Sequence, residues 1–132
     1  MNPLVASVSP AGVPVLRPEL VQSYRQAGWW QGESISEAVR RLGLSRPDQR
    51  AYTAAGSHAT WSSYDCFTDR IATALQALGL PDEARAAVLM PDGYAVHAAI
   101  VGCARAGVIA VGIGARAGDA ELDHLIRRTQ SQ

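Results

Sequence analysis

From Ser62 onward the chain alternates helical and strand patterns, and this order constrains the fold more than any other feature. Two continuous apolar runs, Ala86–Met90 and Val108–Val111, flank an Ala-rich helical pattern from Tyr94 to Arg105. Short apolar runs of this kind are typical of strands covered on both faces in a parallel sheet. A strand, a helix and a second strand in this order form a βαβ unit with a right-handed crossover. We therefore predict an α/β fold with a short parallel sheet.

A long helix precedes the first predicted strand. Its apolar residues recur every three or four positions, which predicts one continuous buried face. These residues are Tyr64, Phe67, Ile71, Leu75 and Leu78. Ser62 is expected to cap the N-terminus of this helix, and Gly79 is expected to end it. Asp65 and Asp69 lie four residues apart on the polar side, where we expect a solvated face.

Shorter elements lie upstream. Prolines interrupt residues 1–17 and predict an irregular, extended N-terminal arm. Two helices are expected to end at Gly28 and Gly43, since glycine is common just after a helix. A hairpin is expected to pair Arg50–Thr53 with Ala59–Trp61.

The predicted sheet has few strands. Two parallel strands and one hairpin make a thin sheet, so we predict an incomplete, layered βαβ domain over residues 18–132 with flanking helices. Residues 1–17 are assigned to the arm. The sheet edge beside Val111 is expected to be open, and unpaired strand edges are association sites. Self-association or pairing with a complementary subunit through this edge is therefore expected.

Composition argues against several classes of partner. The twelve basic residues, all arginine, balance twelve acidic ones, whereas a nucleic-acid partner would require a basic face. Cys66 and Cys103 are too few for a zinc cluster or a disulfide framework, so we expect reduced thiols. No apolar run approaches the roughly 20 residues that span a bilayer. With no secretory feature, a cytoplasmic protein is expected.

The sequence yields no catalytic, cofactor-binding or metal-binding residue. His58, His97 and His124 are not paired at metal-ligand spacing and have no orienting carboxylate, so we interpret them as structural. Ser62 and Ser63 lack a Gly-x-Ser-x-Gly elbow and are interpreted as helix-capping residues.

A glycine-rich loop, Gly112–Gly118, follows the second strand. It does not match the Gly-x-Gly-x-x-Gly fingerprint, because its third glycine comes one residue late. A flexible strand-to-helix connection is the favoured interpretation. Arg116 is the residue of this loop suited to an anionic group, so a small nucleotide-binding protein stays open as an alternative.

Several short stretches occur in an order that matches a known family. They are Thr60–Trp61 before a helix that ends at Ala74–Leu80, then Val88–Asp92, Ala104–Val111 and Glu121–Leu122. Together they resemble the beginning of the adenylate-forming enzymes, in particular the AMP-dependent acyl-CoA synthetases. The region Tyr24–Trp30 and the helix from Ser34 are similar to the N-terminal part of medium-chain and alicyclic or aromatic acid ligases within that family.

The resemblance implies ATP-dependent formation of an acyl adenylate, then capture by the thiol of coenzyme A. ATP, Mg²⁺ and coenzyme A are the cofactors implied for the complete enzyme. The family's phosphate loop and its mobile C-terminal domain each supply a lysine, whereas this chain contains none, and arginine is not an equivalent substitute. The expected function is therefore the N-terminal scaffold portion of a carboxylate–CoA or fatty acid–CoA ligase, inactive alone, whose partner is the remainder of the ligase.

Two departures from the family pattern leave the activated acid open. Ser63 stands where the family usually has Glu, and the loop at Gly112–Gly118 lacks the prolines common there. An adenylation domain of peptide synthesis is an alternative within the same class. A non-catalytic interaction module, paired with a separate subunit through the open sheet edge, is the alternative from another class.

Overall fold

The computed structural model describes residues 5–8, 14–54, 56–81 and 83–132. The chain divides into two compact units, residues 1–34 and residues 35–132. None of the described helices is long and apolar enough to cross a membrane. The assignment of residues 1–17 and 18–132 to separate parts stays a prediction.

The first unit contains a small hairpin and one helix. Strand β1 (Val5–Val8) pairs antiparallel with β2 (Pro14–Leu16), and helix α1 (Pro18–Gln26) follows. The expectation of an irregular arm is therefore wrong for these residues, because backbone pairing orders them and Pro14 begins its strand, where a missing N–H is tolerated. The remaining residues of the predicted arm before Pro14 lie outside the described part. Helix α1 ends before Gly28, as expected.

The second unit has the α/β architecture predicted from the sequence. Its elements are α2 (Ile35–Ser45), β3 (Arg50–Ala54), β4 (Ser57–Thr60), α3 (Trp61–Ala77), β5 (Arg85–Met90), α4 (Tyr94–Ala106), β6 (Ile109–Gly114) and α5 (Asp119–Thr129). Strands β3 and β4 form the predicted antiparallel hairpin. Residue Ala55 of its turn lies outside the described residues. Strands β5 and β6 are parallel and run from Arg85 opposite Ile109 to Met90 opposite Gly114.

Helix α4 lies between the parallel strand pair and the other helices. On one side its Ala99 and Cys103 pack against Val88 of β5 and Val108. On the other side it contacts α3, where a Cβ added to Gly102 would lie 2.7 Å from Ile71 Cγ2. Only glycine allows the two helix backbones to approach so closely. The small residues of α4 thus let it pack against a sheet and a helix at once.

Two expected helix ends are corrected by the packing of α2 and α3. Helix α2 passes through Gly43 to Ser45, and a Cβ at Gly43 would lie 2.9 Å from Asp65 Cβ. This glycine is therefore a close-contact position between helices instead of a helix end. Helix α3 begins at Trp61, not after Ser62, because Thr60 is its N-cap.

Two side chains expected to be buried are exposed. Leu78, at the end of the apolar stripe of α3, is 68% exposed, and Leu89 of β5 is 45% exposed. The face of β5 that carries Leu89 points away from α4, since Val88 and the residues that alternate with Leu89 pack on that helix. The prediction that β5 is covered on both faces is therefore wrong at Leu89 in the described structure.

Candidate functional site

The two parallel strands send their connections to opposite faces of the sheet. Val88 and Met90 face α4, and their partners Gly112 and Gly114 share that face. Ile113 lies between these glycines, so its buried side chain points to the other face, and α5 contacts β6. In open α/β sheets, ligands bind in the crevice at the carboxyl ends of strands whose connections diverge in this way.

A crevice of about 590 Å³ lies at that position. The end of β5, the first turn of α4 and the loop after β6 form its walls. The side chains relevant to binding are those of Met90, Asp92, Val96, Arg116 and Glu121. The crevice thus combines an apolar floor with one cation and two carboxylates at its rim. Such a mixture suits a ligand that carries both apolar and polar groups.

The glycine-rich loop beside the crevice closes as a turn. The N–H of Ala117 donates to the C=O of Gly114 at 2.9 Å, so this amide is already bonded within the protein. A Cβ added at Gly112, Gly114 or Gly118 would meet no described atom within 4 Å. Close backbone approach therefore does not require these glycines in the described structure. The geometry is that of a strand-to-helix connection, with Arg116 exposed on it.

The predicted solvated face of α3 is instead an ion-pair cluster. Arg105 of α4 donates to Asp65 Oδ1 and to Asp69 Oδ1, each at 2.7 Å, and Nε donates to Ser36 Oγ at 2.9 Å. The side chain of Arg105 is only 10% exposed. Local sequence patterns do not reveal this partner, because Arg105 lies 40 residues from Asp65 and 36 residues from Asp69 along the chain.

Electrostatic interactions within the cluster favour the charged forms of Arg105 and Asp69. Burial would lower the pKa of Arg105, but the hydrogen bonds and charges of Asp65 and Asp69 outweigh it and raise that pKa. Burial would likewise raise the pKa of Asp69, but Arg105 and Arg40 outweigh it and lower that pKa. Groups held charged in this way are poor proton donors or acceptors near neutral pH. The cluster is therefore suited to joining helices instead of to acid–base catalysis.

The three histidines lie apart. His97 is exposed on α4 and its ring packs on Tyr52 at 5.3 Å between centroids. His58 lies opposite Thr53 in the hairpin, and His124 is exposed on α5. Among the described residues, no group of three His, Cys, Asp or Glu side chains could hold a metal ion. The structural interpretation of these histidines stays a prediction.

The nucleophilic side chains to consider are those of the two cysteines and Ser63. Both cysteines are free thiols: Cys66 is exposed on α3, whereas Cys103 is buried in α4. Burial raises the pKa of the Cys103 thiol, which makes it less reactive. Ser63 is engaged at the start of α3, where its Oγ accepts the N–H of Thr60 at 2.9 Å.

Comparison with known proteins identifies the family. The sequence profile of the family described as AMP-binding enzyme matches residues 40–132. The chain belongs to this family of AMP-binding enzymes. Family membership implies ATP and Mg²⁺ for the complete enzyme, in agreement with the resemblance found in the sequence.

Two curated relatives are named as ligases that form aryl adenylates. The chain is 31% identical to the 2,3-dihydroxybenzoate-AMP ligase of Bacillus subtilis over 74 residues, and this alignment covers 56% of the chain. It is 33% identical over 94 residues to the salicyl-AMP ligase / salicyl-S-ArCP synthetase of Mycobacterium tuberculosis, which covers 67% of this chain. The matches span 14% and 17% of the relatives' own lengths.

Solved structures of AMP-binding enzymes share the fold. The apo structure of MbtA from Mycobacterium smegmatis has a TM-score of 0.76 and 27% identity, over 96% of this chain and 23% of that one. A fatty acyl CoA synthetase from Mycobacterium tuberculosis has a TM-score of 0.66 and 26% identity, over 74% of this chain and 20% of that one. The chain therefore has the fold of the N-terminal part of adenylate-forming enzymes.

Proposed function

We propose that this chain forms the N-terminal scaffold of a ligase that activates an aromatic carboxylic acid as its acyl adenylate. The observation that carries the proposal is the similarity to two relatives named for aryl adenylates, one at 33% identity over 67% of this chain. Capture of the acyl group by a thiol, from coenzyme A or a carrier protein, would follow in the complete enzyme. The sequence predicts a carboxylate–CoA or fatty acid–CoA ligase and leaves the acid open, and the proposal narrows that acid to an aromatic one.

The first unit of the chain also bears on the nature of the acid. The MbtA likeness extends over 96% of the chain, and therefore includes most of residues 1–34. The likeness to the fatty acyl CoA synthetase extends over 74%. The pair Trp29–Trp30 packs on Tyr24 within the first unit, with centroid distances of 5.3 and 5.4 Å. In the sequence, this region resembles medium-chain and alicyclic or aromatic acid ligases.

The scaffold role follows from the chemistry that the chain lacks. Adenylation concentrates negative charge on phosphates, which enzymes stabilise with Mg²⁺ and positioned cations. The chain has no lysine, and Arg105, whose side chain is only 10% exposed, is committed to Asp65 and Asp69. What the chain supplies is the framework of β5, α4 and β6 and one wall of the crevice at their carboxyl ends.

A fatty acyl–CoA ligase is the second candidate, favoured by the TM-score of 0.66 to a fatty acyl CoA synthetase. The apolar residues Met90 and Val96 that line the crevice are compatible with an acyl chain as well as with an aromatic ring. The nature of the acid therefore has to be measured.

ATP–pyrophosphate exchange tests both candidates. The protein that carries these residues is assayed with salicylate, 2,3-dihydroxybenzoate, octanoate and, as a non-aromatic ring control, cyclohexanecarboxylate. Exchange with the two aromatic acids is expected. Exchange with octanoate alone would favour the second candidate. Exchange catalysed by the isolated 132-residue chain with any acid would contradict the scaffold role.

A further inference from the structure

Four polar side chains line one small cavity away from the crevice. The cavity has a volume of about 370 Å³, and its walls come from β4, α3 and the first residue of α4. The four side chains are those of His58, Cys66, Arg70 and Tyr94. Within the part of the chain that the structure describes, none of these side chains makes a hydrogen bond or an ion pair. The cavity therefore gathers polar groups whose bonding capacity is unused.

The charge on the cavity wall has one sign. Among the described residues, no acidic side chain lines the cavity, whereas Arg70 does. Cys66 and Arg70 also border a second hollow of about 640 Å³, and the carboxylates of Asp65 and Asp69 lie there. Both of those carboxylates are paired with Arg105. The guanidinium of Arg70 is therefore free to bind an anion.

The other side chains on the cavity wall are mostly apolar or aromatic. The rings of Phe67 and Tyr94 meet nearly edge to face, with 5.9 Å between their centroids. Ala59, which is buried, adds a methyl group to the same wall. Small-molecule sites have volumes from about 300 Å³ upward and combine an apolar lining with a few polar groups that orient the ligand. This cavity has both properties and suits a small ligand with one ring.

We propose that this cavity is a second binding site, which takes a small aromatic carboxylate. Arg70 supplies the charge and the paired N–H donors that a carboxylate requires. His58 and Tyr94 each supply a further donor, and the ligand's ring packs against Phe67 and Tyr94. The site is separate from the crevice at the carboxyl ends of β5 and β6, because the two share no lining residue. The inference therefore goes beyond the proposed enzymatic function and does not depend on it.

The thiol of Cys66 allows occupancy of this cavity to be measured. Cys66 is exposed and lies on the cavity wall, four residues before Arg70 on α3. Residues four apart on a helix are neighbours on the same face, so a carboxylate bound to Arg70 places its ring over the thiol. Cys103 is buried in α4, and its alkylation requires the fold to open. The two thiols therefore distinguish binding in the cavity from a general change in stability.

Alkylation by iodoacetamide, followed by peptide mass spectrometry, tests the proposal in the protein that carries these residues. The probe is benzoate, and benzyl alcohol is the control that keeps the ring without the charge. At about 10 mM benzoate, a site with a Kd of about 1 mM slows alkylation of Cys66 about tenfold. We expect at least about half of that effect with benzoate, no protection by benzyl alcohol and an unchanged rate at Cys103. Equal protection by the two compounds, or none by benzoate, would overturn the proposal.

A pair of arginine variants tests whether Arg70 holds the carboxylate. Arg70→Gln removes the charge from the cavity wall, whereas Arg128→Gln removes an exposed arginine of α5 that does not line the cavity. Neither arginine makes an ion pair among the described residues, so both variants should fold. We expect benzoate to protect Cys66 in the Arg128 variant and not in the Arg70 variant. Protection that persists in Arg70→Gln, or that is lost equally in both variants, would contradict a site built on Arg70.

Discussion

Arg105 of α4 and Asp65 of α3 form an ion pair whose side chains are only 10% and 17% exposed, with Nη2 of the arginine 2.7 Å from Oδ1 of the aspartate. The same guanidinium bonds Asp69 Oδ1 through Nη1 and the C=O of Ser36 through Nη2. Three helices, α2, α3 and α4, are therefore joined through one side chain. Because the planar fork of arginine serves several acceptors at once, this position has consequences for stability.

Replacing Arg105 with alanine should destabilise the second unit by about 3 kcal/mol, because it leaves Asp65 without its cation in a poorly solvated site. Lysine should recover only part of this loss, since one ammonium cannot reproduce the bonds to Asp65, Asp69 and Ser36. The free energy of unfolding, measured by urea denaturation, checks both values.

A matched control is the exposed pair of Arg127 and Asp123 on α5, with Nε 2.8 Å from Oδ1. Arg127→Ala should cost no more than about 0.5 kcal/mol, because exposed pairs four residues apart contribute little. Equal losses for Arg105→Ala and Arg127→Ala would contradict the structural role of Arg105.

Acid should weaken the same cluster through Asp69. Its pKa is held below the ordinary value because the hydrogen bonds and charges of Arg105 and Arg40 outweigh the effect of burial. A carboxyl with a lowered folded-state pKa contributes stability above its unfolded pKa of about 3.9, and this contribution is lost as the pH falls through the folded value. We expect unfolding free energy to fall below about pH 4, and Asp69→Asn to reduce the size of that fall. Denaturation curves from pH 7 to pH 2.5 measure it, and an identical pH dependence in both proteins would contradict the assignment.

Gly102 should not tolerate a side chain. A Cβ at this position would lie 2.7 Å from Ile71 Cγ2 and 3.2 Å from the C=O of Thr68. Gly102→Ala should therefore destabilise the protein by about 1–3 kcal/mol by forcing α3 and α4 apart. Gly112→Ala is the control, since an added Cβ there meets no described atom within 4 Å, and it should change stability by less than about 0.5 kcal/mol. Thermal melting of the two variants provides the comparison, and a Gly102→Ala protein as stable as the control would disprove the close approach.

The capping box of α3 predicts a contrast between Thr60 and Ser62. Thr60 Oγ1 accepts the N–H of Ser63 at 3.2 Å, and Ser63 Oγ accepts the N–H of Thr60 at 2.9 Å. Thr60→Ala should cost about 1 kcal/mol, whereas Ser62→Ala should be nearly neutral. Ser63→Glu should keep the reciprocal bond, since Glu is a standard residue at this position of the box. Urea denaturation distinguishes these outcomes, and a larger loss for Ser62→Ala than for Thr60→Ala would favour the cap expected from sequence alone.

The elements with strong local patterns were predictable from the sequence. The stripe through Tyr64 and Ile71 predicted α3, and the apolar runs predicted β5 and β6, because each pattern depends on the periodicity of its own segment. The family was also recognisable, since its short motifs keep their order along the chain.

The roles of several single residues depended on distant partners. From the sequence, Gly43 is expected to end a helix and Gly102 to be one of the small residues of a helix. In the structure, each lies where another helix approaches within contact distance. Asp65 and Asp69 are predicted from the sequence to form a solvated face, whereas in the structure both form ion pairs with Arg105. The sequence by itself determined the kind and order of the elements through hydrogen bonding and hydrophobic periodicity within each segment. Only the tertiary structure decided which faces meet and which charges pair, because these depend on contacts between residues far apart along the chain.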